Sequence, residues 1–342
     1  MANLVKKQLI LSIMVLCGAI LAFAITGTGV AYDGVPIFSF SNYNTDSPIF
    51  ADVINREDII FISPPVVEEN NFIRPRLEPI SQEYKSRLMD FGYLTSRVFL
   101  VDPETILLPN DIDVYSFLNN CLNINTNVTG PQVLIFHTHS GEMFIDSKPA
   151  QPMTGIMGVG RHLAEVLSTH HGIETMHYTG RFDFLNGASH RPGSYERMEP
   201  VIRQILEENP SIQVVIDLHR DGVGPNAPAF VREVNGKETA QIMFFNGLSR
   251  QNRNGQAHTI YRLPNPYQAE NLNFSFRMQL AANQLYPGLA RRIYLRQFRY
   301  SLHMLPLSTL VEVGNQHNTQ QQAINAMYPL ANIIAAVVLG DE

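Results

Sequence analysis

Three runs of branched apolar residues in this chain each end in a short polar cluster. Val133-Leu134-Ile135-Phe136 leads into His137-Thr138-His139-Ser140-Gly141-Glu142. The stretch Ile212 to Ile216, polar only at Gln213, leads into Asp217-Leu218-His219-Arg220-Asp221, and Leu310-Val311 leads into Glu312-Val313-Gly314-Asn315. Such near-continuous apolar runs suit strands buried on both faces, as in a mostly parallel sheet flanked by helices. Ligands of open α/β sheets bind outside the carboxyl ends of the strands. Three strands that end in His, Asp or Glu therefore aim metal-competent side chains at one crevice.

Side chains alternate faces along a strand, so His137 and His139 point the same way while the chain stays extended. The apolar run stops at Phe136, which puts His139 further into the crevice and makes it the better first ligand, with His137 the alternative. Glu142 reaches the same ion if the chain turns at Ser140-Gly141. His219 is the donor from the second strand, and Asp217, His137 or Asp221 can orient its other ring nitrogen. Glu312 ends the last strand without a basic neighbour and is placed to act as general base. Three protein ligands, an open position and a spare carboxylate are the equipment of a catalytic zinc ion (Zn2+). Singly, each residue has an ordinary reading as a structural histidine, a loop carboxylate or half of an ion pair. Their coincidence decides for a metallohydrolase, with 77 residues from Glu142 to His219 and 93 from His219 to Glu312. His170, His171 and His177 lack acidic companions and read as structural, and packing or hydration is also favoured for His303 and His317.

The 342 residues carry a formal charge of -6, which gives no basic footprint for nucleic acid. Lys6-Lys7 precede an uncharged stretch, 8–32, long enough to cross a bilayer, and the next basic residue is Arg56. The positive-inside rule makes 1–7 cytoplasmic, 8–32 a single transmembrane anchor, and everything beyond extracytoplasmic. Ala22-Phe23-Ala24 offers the competing reading of a cleaved signal peptide. Cys121 is the one cysteine outside that stretch, which excludes an intramolecular disulfide framework, and a buried packing role is expected for it.

Residues 33–80, rich in proline and without lasting periodicity, read as an extended tether. A small subdomain over 81–130 follows, beginning with one helix over 81–94. From 131 to 342 the pattern alternates strand and helix. Helices are expected over 157–168, 194–209 (Ser194 as N-cap, Pro200 marking a kink or the true start), 271–285 and 319–339. Strands are expected over 133–137, 173–178, 212–217, 293–300 and 307–313, with a type I′ hairpin at Asn235-Gly236 joining 229–234 to 237–245.

At these residues the chain resembles the stage II sporulation protein P family, the membrane-anchored wall hydrolases of spore-forming bacteria. The resemblance rests on VLIFHTHSGEMF (133–144), PSIQVVIDLHRDG (210–222), VNGKETAQIMFF (234–245), ENLNFSFRMQLAANQLYPGLARRIYLRQFRYSLH (270–303) and LVEVGNQHNT (310–319), and covers roughly residues 90 to 342. That family is related to zinc N-acetylmuramoyl-L-alanine amidases, whose first ligand follows a strand in an Asp-Pro-Gly-His pattern, which selects His139. The resemblance implies an amidase-like α/β fold, zinc held by His139, Glu142 and His219, and Glu312 as acid/base. The implied reaction is hydrolysis of the muramoyl–L-alanine amide of peptidoglycan, with peptide cross-links as a second substrate, in the septal space during engulfment. Stage II sporulation proteins D and M are the implied partners. Arg197, Arg220 or Asn315 would hold the oxyanion or a stem-peptide carboxylate. Gly141 stands where threonine is expected, Met143-Phe144 depart from the usual pair, and Ala188 to Pro192 has the look of an insertion. The rival readings are a wall zinc carboxypeptidase, for which Arg291-Arg292 would serve, and a tethered scaffold that has lost catalysis.

Overall fold

The computed structural model describes residues 54–65, 73 and 75–340. The expected span over 8–32 lies outside the described residues, as does much of the tether. No helix among the described residues is long and apolar enough to cross a membrane.

Eight strands form one sheet: β1 (Ile59–Ile62), β2 (Phe99–Val101), β3 (Val133–Phe136), β4 (Thr175–Tyr178), β5 (Val214–Asp221), β6 (Ile242–Gly247), β7 (Ile293–Arg296) and β8 (Ser308–Asn315). Their order is β1-β4-β3-β5-β8-β6-β7-β2. The central four, β4-β3-β5-β8, are parallel. Beyond β8 the direction reverses, and β6, β7 and β2 run parallel to one another. β1 closes the other edge antiparallel to β4. The sheet is thus mixed but mostly parallel, and helices flank it.

Alternation along the strands sorts their side chains into two cores. Val133 and Ile135 of β3, Val214, Ile216 and Leu218 of β5, and Val311 and Val313 of β8 pack together on one face. That core is shared with α3 (Ile156–His171), α5 (Gln268–Leu285) and α6 (Gln320–Val338), through residues such as Leu163, Phe274 and Ile333. Leu134, Phe136 and Val215 point the other way, against Met198, Ile202 and Ile205 of α4 (Ser194–Glu208). On this second face, Asp217, His219 and Asp221 follow Val215 along β5, and Glu312 follows Leu310 along β8. The apolar half of each strand anchors it in the core, and the polar half continues on the same face beyond.

Several expectations change. The helix expected over 81–94 breaks into α1 (Gln82–Leu88) and a short second turn, because the Asp90 side chain caps the Tyr93 N–H and starts the chain afresh. A separate tether and subdomain do not describe the flanks: β1 and β2 are edge strands of the main sheet, so parts of 33–80 and 81–130 complete it. Cys121, just beyond α2 (Val114–Asn119), is exposed rather than buried. Gly193, in the left-handed region, takes the N-cap position of α4, so Ser194 is its first residue, and Pro200 lies within the helix. The Asn235-Gly236 turn forms with both residues at positive φ, joining Val231–Val234 to Lys237–Ala240. The main-sheet strand β6 then starts separately at Ile242. β5 runs to Asp221, four residues beyond the expected end, because β8 pairs with it through His219 and Asp221.

Candidate metal centre

The chain leaves β3 at Phe136 and turns over 138–141. Asp183 pins that turn, accepting hydrogen bonds from Ser140 Oγ (2.7 Å) and the Gly141 N–H (2.9 Å). A Cβ on Gly141 would stand 2.9 Å from the Phe184 ring and 3.0 Å from Asp183 Oδ2, so close approach explains the glycine there. The turn brings Glu142 back beside His139, and Glu142 Oε2 accepts the backbone N–H of Arg220 at 2.7 Å.

Glu142 then lies between two imidazoles. Its Oε1 is 3.7 Å from His139 Nδ1, and its Oε2 is 3.5 Å from His219 Nδ1. One donor atom from each of the three residues lies within 4.8 Å of the others. Tetrahedral ligands at zinc distances of about 2.1 Å are separated by about 3.4 Å, so the donor set fits that ion in chemistry and in spacing. His219 is oriented from behind: its Nε2 donates to Asp217 Oδ1 at 2.7 Å, which leaves Nδ1 facing Glu142. Asp217 is fixed in turn by the Thr138 N–H (2.9 Å) and Oγ1 (2.7 Å). The Tyr195 ring, from the first turn of α4, meets His139 edge-on at 5.6 Å. Glu312 pairs with His219 in the β5–β8 register, on strands about 4.8 Å apart. The two side chains therefore stand side by side on one face.

The charges are set by burial and by one another. Burial opposes ionisation of Glu142, yet His219, His139 and Arg191 outweigh it and hold its pKa at about 2. Asp217 is likewise held low, burial being outweighed by His219 and Thr138. Burial works against protonation of His219, but Asp217 and Glu142 push its pKa well above the ordinary value. His139 is pushed down to about 4 by burial, then by His219. Glu312 goes the opposite way from Glu142. Burial first, and the carboxylates of Glu142 and Asp221 next, raise it to about 8, and its buried Oε2 has no hydrogen-bond partner. Two carboxyls in one site are thus driven apart, one to hold positive charge and one to carry a proton.

The structure brings together His139, Glu142 and His219, with Asp217 behind and Glu312 beside. Other expected residues go elsewhere. His137 is not in the cluster: the turn at Thr138 ends the extended chain, and His137 is buried on the α3 side of the sheet. Its Nδ1 donates to the Leu218 carbonyl (2.7 Å) and its Nε2 accepts from His177 Nε2 (2.9 Å), burial holding both rings neutral. Arg220 serves through its backbone N–H, while its side chain bonds the Asp221 carbonyl and Gln316. Arg197 spends its donors on the carbonyls of Phe182, His190 and Pro192. Asn315 is fully buried, bonding the Pro228 carbonyl and the His317 N–H. His303 pairs with Glu199 at 2.9 Å. Thr138, Asp183, Arg191 and Tyr195 contribute to the site without having been expected there. The one sequence signal for any of them was the odd segment Ala188 to Pro192, which carries Arg191.

Comparison with known proteins gives one strong match. The family described as Stage II sporulation protein P (SpoIIP) matches residues 80–335. No curated protein sequence matches the chain. Among solved structures it is similar to the N-acetylmuramoyl-L-alanine amidase AmiC2 of Nostoc punctiforme, at 16% identity and a TM-score of 0.36, covering 64% of this chain and 97% of that one. A second is the N-acetylmuramoyl-L-alanine amidase from Clostridium difficile 630, also at 16% and 0.36, covering 61% and 94%. The CwlD amidase from Clostridioides difficile, solved in complex with the GerS lipoprotein, matches at 12% and 0.36 over the same shares.

Proposed function

The chain belongs to the stage II sporulation protein P family, and on that premise we propose that it is a zinc-dependent peptidoglycan hydrolase. Its bond is the amide between the lactyl group of N-acetylmuramic acid and L-alanine. The observation that carries this reading is the donor triangle of His139, Glu142 and His219, with Glu312 paired to His219 across β5 and β8. His139 Nδ1, a carboxylate oxygen of Glu142 and His219 Nδ1 would hold the ion. When bound, zinc would supply Lewis acidity toward the scissile carbonyl and make an attacking water ionisable near pH 7.

The remaining work falls to the protein. Asp217 holds the Nε2 proton of His219, so the proton that the ring would give up to a metal is the one on Nδ1. Burial and the neighbouring carboxylates favour the protonated form of Glu312, and a nearby dication would favour its ionised form, the state a general base needs. Glu312 takes a proton from the attacking water and returns it to the nitrogen of the departing L-alanine. Tyr195, whose phenol is kept protonated by burial and by the surrounding carboxylates, walls the site beside His139.

The family and the sequence support the setting of this reaction: an anchor over 8–32, a catalytic unit outside the membrane in the septal space, and stage II sporulation proteins D and M as partners. Cleavage of peptide cross-links is a second activity on the same footing. Glu312→Gln tests the chemistry. Turnover on purified wall should fall by about 10²–10⁴ while one zinc per chain is kept. Activity within a few-fold of wild type would make Glu312 a structural residue and remove the mechanism.

A further inference from the structure

The Arg191 guanidinium lies on the ligand atoms themselves. Its Nη2 is 2.8 Å from His139 Nδ1 and 2.7 Å from Glu142 Oε1. A guanidinium has donors only and keeps its charge, so Nη2 donates to both atoms. His139 Nδ1 must then carry a lone pair, with the ring proton on Nε2, which is the tautomer a metal needs at Nδ1. The single lone pair of Nδ1 cannot serve an N–H and a metal at once, so the seated guanidinium and the ion compete at His139.

The surroundings suit a side chain that moves over a backbone that does not. Arg191 follows a tight hairpin, Phe184–Leu185 with Ala188–Ser189, and the segment is tied down on both sides of it. The His190 N–H donates to the Asp183 carbonyl at 2.7 Å, and Arg197 donates to the carbonyls of His190 and Pro192. Asp183 also pins the turn before Glu142, so hairpin and ligand loop share one fixed point. The Arg191 side chain is 53% exposed, whereas that of Glu142 is 5% exposed. A long cationic side chain thus reaches in from solvent to cap a buried carboxylate.

We propose that Arg191 is a cationic placeholder for the metal. It neutralises Glu142 and holds His139 in the ligand-ready tautomer while the site is empty, and the incoming ion displaces it. The proposal rests on the zinc reading above and adds a residue that sets how readily the site loads. Displacement swaps one positive partner of Glu142 for another, so the buried carboxylate is never left unpaired. The cost is competition: apparent metal affinity is lower than the three ligands alone would give, by the fraction of time Arg191 is seated.

The test uses the purified protein stripped of metal, with Arg191→Ala and Arg191→Gln beside wild type. Zinc affinity is read by competition with a chromophoric chelator, and thermal unfolding is followed with and without zinc. Both variants should bind zinc about tenfold more tightly. Their metal-free midpoints should fall by a few degrees while the zinc-loaded midpoints match wild type. Equal affinities, or weaker binding in the variants, would overturn the placeholder, since Arg191 would then be neutral or a support of the loaded site. If wild type and variants alike bound no zinc, the metal reading would fail and the placeholder with it.

Discussion

Replacing Glu312 with glutamine removes a titration from the centre of the site, and the effect on stability can be worked from its position. Glu312 is partly buried beside Glu142 and Asp221, and its pKa rises from 4.5 to about 8 on folding. Below pH 4.5 both the native and the unfolded chain carry the proton, and Glu312 makes no demand on folding. Between 4.5 and 8 the unfolded chain ionises while native Glu312 does not, so stability falls as pH rises through this window. The loss is complete above 8 and, at 1.36 kcal/mol per pH unit, is on the order of 5 kcal/mol. Glutamine fills nearly the same volume without titrating. Urea unfolding of metal-free wild type and Glu312→Gln at pH 5, 6, 7 and 8 reads the difference directly. The variant should gain on wild type steadily across the series and be the more stable protein at pH 8. Parallel pH profiles would refute the reasoning, because they would mean Glu312 ionises normally in the native state.

Two further outcomes separate the ligands from their neighbours. His219→Ala removes one of three protein donors, so the purified variant should hold far less than one zinc per chain by elemental analysis; a full equivalent would take His219 out of the ligand set. His137→Ala should cost about 2–4 kcal/mol of stability by opening a cavity beside His177 and freeing the Leu218 carbonyl, yet zinc content should stay at one per chain; loss of metal without loss of stability would return His137 to the site.

Much of the site is legible in the sequence because it sits where strand alternation and topology meet. His219 and Glu312 each follow an apolar run on a fixed face, and parallel strands bring their ends together. Alternation also speaks against the Arg220 side chain, since a residue next to His219 faces the opposite way. His137 is less legible. Its pairing with His139 assumes an extended chain, and the turn at Thr138 is made by Asp217, 79 residues away. Asp183 and Arg191 come from an irregular loop whose place over the ligands is set by tertiary contacts alone. Arg197 and Asn315 resemble substrate-binding groups in sequence, but loop carbonyls and neighbouring N–H groups claim their polar atoms. β1 and β2 are short edge strands, four and three residues long, and a pairing partner distant in sequence is all that distinguishes them from extended tether.

The product of the reaction tests the central claim most directly. Purified peptidoglycan digested with residues 33–342 would be treated with an amine-reactive label, hydrolysed, and the labelled residue identified, with a chelated control alongside. New α-amino groups should appear on L-alanine, with whole stem peptides lost from the glycan, and the chelated control should give none. New amines confined to other stem residues, or none at all while the wall is still bound, would contradict the amidase reading and favour a peptidase or a scaffold.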